Sequence, residues 1–167
     1  MTDYLVVGAV PLTQRRLVTG TYLTPESFNG LLSGSAPACM AHWREDSYTC
    51  KHAAAWAVVD DALQVMHLLD DATAEERAIL DDIHAGRLFW SYGQTPTPAA
   101  TRAAIAAQQS TPDVYWPSAL KGQRIAHWSY VTLAAWTQAP IYVLGTNAGA
   151  GWQLAPGVSD NVRYSVR

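Results

Sequence analysis

The sequence predicts an α+β fold in one domain, a central buried helix packed on a small, mostly antiparallel sheet. Three observations carry that expectation. Residues 50–69 are apolar on nearly every side, the pattern of a helix in the middle of a protein. Strand-like segments stand at both ends of the chain, with helix-like ones between them, an order typical of α+β domains. Of 167 residues, 49% are hydrophobic and 15% charged, enough to bury a sizeable core.

The elements follow in chain order. Residues 4–10 and 16–22 read as two short strands separated by Pro11 and a polar turn. Thr24-Pro25-Glu26 opens a short helix ending near Gly30, with a capping hydroxyl and then proline at the first helical position. Residues 33–48 mix Ser, Gly, Pro and scattered charges and read as a loop. The central helix then runs from Cys50 to Leu69. Trp56, Val59, Leu63 and Met66 form one apolar row on it, and Ala54, Val58, Ala62, Val65 and Leu69 form another. Thr73 and Glu76 form a capping box for a helix running to Ala85 and stopping at Gly86. Residues 88–90 read as a strand or a packed loop, and Thr97-Pro98 opens an Ala-rich helix to about Gln109. Pro112 and Pro117 make 110–124 irregular. A helix over 127–137, a strand over 141–145, and further strands at 152–154 and 162–166 complete the chain. Residues 1–48 are thus N-terminal strands and a loop, and 49–167 hold the core.

Charge and cysteine usage narrow the function classes. A net charge of −3 without a basic stripe argues against nucleic acid. The apolar runs are too short to cross a membrane, and the first residues lack the order of a signal peptide. Two cysteines make no disulfide framework, which points to a reducing, cytoplasmic compartment.

Chemistry centres on Cys50. At the start of the predicted helix, unpaired N–H groups and the helix dipole favour a nucleophilic thiolate. His127, in an aromatic stretch, is the preferred general base, and His84, near the end of a surface helix, the poorer one. Backbone N–H groups at the helix start would form the oxyanion site. Trp116, beside Pro117, is the tryptophan expected near a substrate cleft. A rival reading takes Cys39, His42, Cys50 and His52 as zinc ligands in a C-x2-H-x7-C-x-H pattern. The Cys50-x-His52 spacing is too tight for an ordinary site, so no metal and no other cofactor is expected.

The segment 128–144, with Trp128, a Leu133-Ala134-Ala135 run, Pro140-Ile141 and a strand, resembles the late helix–strand unit of ovarian-tumour (OTU) type cysteine proteases. Trp152, Pro156 and the Cys50 segment with Ala53-Ala54-Ala55 add to the likeness, which spans residues 46–166. The family's Asp-Gly-(Asp/Asn)-Cys is here Ser47-Tyr48-Thr49-Cys50, and no histidine follows Val162. The resemblance implies a papain-like fold with residues 49–167 as the protease core. It also implies a divergent, viral or effector thiol protease or deubiquitinase of the host cytosol. Its substrate would be a protein or peptide, a polyprotein junction or a ubiquitin-type conjugate. The base would be His127 or a residue beyond Arg167. Two alternatives are a catalytically silent interaction module on the same fold and a peptidoglycan-directed cysteine amidase.

Overall fold

Asp60 and Asp61 turn the chain back in the middle of the apolar stretch. Val59 pairs with Ala62 across them, and Asp60 adopts a left-handed φ of 53°. A two-residue turn with positive φ joins antiparallel strands rather than helical turns. Residues 50–69 are therefore a hairpin, and its burial alternates: Ala54 and Trp56 are buried while Ala53 and Ala55 are exposed.

The computed structural model describes residues 1–12, 14, 32–40, 48–94 and 125–156. Among them are eight strands and one helix: β1 (Asp3–Pro11), β2 (Ser33–Met40), β3 (Thr49–Val59), β4 (Ala62–Asp70), α1 (Ala74–His84), β5 (Phe89–Gln94), β6 (Ile125–Val131), β7 (Tyr142–Asn147) and β8 (Gln153–Leu154). The expected α+β, papain-like architecture with Cys50 on a central buried helix is thus incorrect. The chain is mostly β, and its one described helix is not central. Two smaller corrections follow. Residues 33–40, read as loop, form β2, and 127–131, read as the start of a helix, belong to β6, where Trp128 and Tyr130 point into the core. The strands expected at 4–10, 141–145 and 152–154 are present as β1, β7 and β8, and 88–90, read as a strand or a packed loop, leads into β5. Expected elements at 16–22, 24–30, 98–109 and 162–166 lie outside the described residues.

The strands form one sheet in the order β5-β6-β2-β3-β4-β1-β7-β8. All pairings are antiparallel except β2 with β6, where Ala38, Cys39 and Met40 face Trp128, Ser129 and Tyr130. The sheet curls on itself. Trp90 of β5 lies over Gly8 of β1, and Ile141 N donates to Leu88 O at 2.8 Å. The concave face holds the core: Val6 and Val10 of β1, Leu63 and Val65 of β4, and an aromatic cluster from β5, β6 and the segment before β7. Trp90 and Tyr130 pack at 4.4 Å between ring centroids, and Tyr92 stacks on Trp136 at 5.6 Å.

Helix α1 begins and ends as its capping residues dictate. Thr73 Oγ1 accepts from Glu76 N at 3.2 Å, and Gly86 takes φ 69° just past the end. Ile79, Leu80 and Ile83 enter the core. The wholly buried Glu76 ties the helix to the sheet, because its carboxylate accepts from Lys51 N at 3.1 Å and Asp70 N at 2.9 Å.

A candidate binding pocket

The strand alternation separates the residues singled out in the sequence. Cys50 lies on β3 and belongs to the core cluster on the concave face. His127 neighbours the core residue Trp128 on β6, so its side chain leaves the opposite face, where its ring lies over Gly93 of β5. The sheet therefore does not bring this pair together. No helix begins at Cys50, so the dipole and the N–H groups expected there are missing. Burial, and then the Glu76 carboxylate, push the Cys50 thiol up to about 12. His84 is exposed at the end of α1, its ring edge-on to Tyr4. Trp116 and His42 lie outside the described residues. Cys39 buries its thiol on the face opposite Cys50, donating to Trp128 O at 3.4 Å. The zinc pattern is split accordingly, and no three His, Cys, Asp or Glu side chains gather among the described residues.

The sequence reading missed His67, the centre of a polar cluster inside the core. Its Nε2 lies 2.8 Å from His52 O, a carbonyl that only accepts, so Nε2 carries the hydrogen. Its Nδ1 is then the acceptor for the Tyr130 hydroxyl at 2.6 Å. Both ring nitrogens are satisfied in the neutral state. Burial lowers the His67 pKa and raises that of Tyr130 well above its usual range. This cluster is a stabilised interior, closed to solvent.

The open site is elsewhere, on the convex face. Val7, Ala9 and Pro11 of β1 pair with Met66, Gln64 and Ala62 of β4, and alternation puts all six on the outer side. Tyr142 of β7 stands beside Val7 on the same side. Residues 137–140 form a wall above them, fixed by Gln138 Nε2 donating to Trp90 O at 3.1 Å and by the Ile141–Leu88 bond. Together with Leu144 these residues enclose a pocket of about 440 Å³. Its described lining is apolar apart from Gln64, Thr137, Gln138 and the Tyr142 hydroxyl, and none of these described residues is charged. Met66 and Tyr142 remain 46% and 38% exposed, so the pocket is open to solvent.

No family model, characterised protein or solved structure matches the chain. The pocket therefore stands on its own chemistry. Nothing in the sequence marked it, because its walls come from three segments that are far apart along the chain. Among the described residues, no helix is long and apolar enough to cross a membrane.

Proposed function

We propose that this protein is a binding module, and that the pocket on the convex face receives an apolar side chain of a protein partner. The observation that carries the reading is an open pocket of about 440 Å³ on the outer side of β1, β4 and β7, with no charged residue in its described lining. That volume falls in the usual range for ligand sites, roughly 300–1,000 Å³. The exposed Ala53, Ala55 and Val59 of the neighbouring β3 extend it into a broader apolar surface. A protein partner uses both parts: an anchor fills the pocket and its flanks cover the surrounding face. Reduced, buried Cys39 and Cys50 suit a cytosolic setting.

Cysteine peptidase chemistry, which Cys50 and the OTU resemblance suggested, has weaker support. It needs a thiolate with a base in reach. Cys50 is a buried thiol with a pKa of about 12, and His127 projects from the other face of the sheet.

The test uses phenylnaphthylamine, a neutral apolar dye that brightens when it leaves water. Wild type is expected to give a saturable rise in fluorescence. Ala9→Trp, which fills the pocket from an exposed position, is expected to abolish it while the urea unfolding midpoint stays close to that of wild type. An equal rise in both proteins, or none in wild type, overturns the reading.

A further inference from the structure

We propose that the partner segment seated on this pocket is basic, an apolar side chain flanked by arginine or lysine. The inference rests on the pocket being a binding site, and charge at its rim carries it further. Asp60 and Asp61 form the β3–β4 turn, and both are exposed. Asp61 directly precedes Ala62, which pairs with Pro11, and both of those residues line the pocket. The turn that bears the two carboxylates therefore lies at one end of the pocket. The ion pairs among the described residues lie elsewhere: Lys51 with Asp70, and Arg87 with Asp82. Lys51 sits at the far end of β3, about 30 Å from Asp60 at the rise of an extended strand, and is already paired.

The presentation of these charges is fixed. A two-residue turn closed by the Val59–Ala62 pair holds them, and Asp61 O accepts from Leu12 N at 2.8 Å. The site thus combines a cavity whose described lining holds no charged residue with two carboxylates that have no ion pair among the described residues. An acidic segment would be repelled there, and a neutral one would gain nothing from the carboxylates. A cationic flank complements them, adding orientation and speed of association to the affinity that the apolar anchor supplies.

The experiment titrates wild type with three acetylated, amidated peptides of equal length. Each has a central phenylalanine flanked by arginines, by glutamines or by glutamates, and binding is followed by NMR shifts of β1, β4 and β7. The arginine peptide is expected to bind tightest, with affinity falling as salt is added. Asp60→Asn with Asp61→Asn, which keeps a residue tolerant of positive φ at the turn, is expected to weaken that peptide about threefold to tenfold. It should bring it level with the glutamine peptide. Ala9→Trp is expected to abolish all three. Equal binding of the arginine and glutamine peptides to wild type overturns the inference and leaves the pocket reading intact. So does failure of the arginine peptide while the dye still enters. Arginine-peptide binding that survives Ala9→Trp places the cation away from the pocket and overturns it too. Self-association of wild type in sedimentation, lost in Ala9→Trp, makes a second copy the occupant and also overturns it. If neither dye nor any peptide binds, the pocket reading itself fails.

Discussion

With burial pushing the Cys50 thiol up to about 12, the group stays protonated at neutral pH. Only 6% of the residue is exposed. Alkylation in the folded protein is therefore expected to follow the opening of the structure rather than the reactivity of the sulfur. Iodoacetamide labelling read by mass spectrometry should show Cys50 unmodified in native buffer and modified at once in urea. Rapid native labelling would restore the nucleophile. His67 leads to a second expectation. Burial lowers its folded pKa below the unfolded value near 6.5, so above that pH both states are neutral and stability is flat. Below it the unfolded chain takes up a proton that the folded one refuses. Stability then falls with falling pH, by at most about 1.4 kcal/mol per unit. Asp70, held below the usual carboxylate range first by the Ala72 N–H bond, adds a further loss only below about pH 4. His67→Gln keeps a donor for His52 O and an acceptor for Tyr130 while removing the titration. Urea midpoints for this variant between about pH 7 and pH 5 should be flatter than those of wild type.

Among the elements, the β3–β4 hairpin and α1 make an instructive pair. Every signal for α1 is local: a capping hydroxyl at Thr73, Glu76 three residues on, and a glycine after the last turn. The hairpin carried a local signal too, the Asp60-Asp61 doublet, but alanine's high helix propensity and an apolar content on all sides masked it. In the sheet, the alanines of β3 alternate between the core and the outer face. Propensity yields there to pairing on both sides, with β2 and with β4. Since Asp60 has φ 53°, Asp60→Gly is expected to stay within about 1 kcal/mol of wild-type stability. Asp60→Val should cost about 1–2 kcal/mol or more, because a β-branched residue resists the left-handed region. Chemical denaturation of both variants checks this, and equal stabilities would count against the turn.

In the molecule as a whole, curling of one sheet makes a core on the concave side and leaves an apolar surface on the convex one. The curl depends on close approach at Gly8, where an added Cβ would come within 2.6 Å of Trp90 Cδ1. Gly8→Ala should therefore cost about 1–3 kcal/mol, the usual range for overpacking. The measurement is a thermal or urea midpoint, with near-UV circular dichroism reporting the Trp90 and Tyr130 environment. An unchanged midpoint would mean that β5 can move off β1 without cost. Because β1 lies between β4 and β7 in this sheet, the pocket exists only where three strands from residues 3–11, 62–70 and 142–147 become neighbours.

The amino-acid order alone was enough for features whose causes lie within a few residues. It marked α1 through its caps, and β1 and β7 through short β-branched runs bounded by turn residues. It could not assign the face on which Cys50, His127 or His67 stands. That is set by which strands pair and in what register, and a shift of one residue reverses every side chain. The same dependence decides the chemistry. A cysteine that reads as an activated nucleophile at a helix start is a buried thiol of raised pKa once its strand turns it into the core. The convex pocket, silent in the sequence, exists because a curled sheet can bury only one of its two faces on itself.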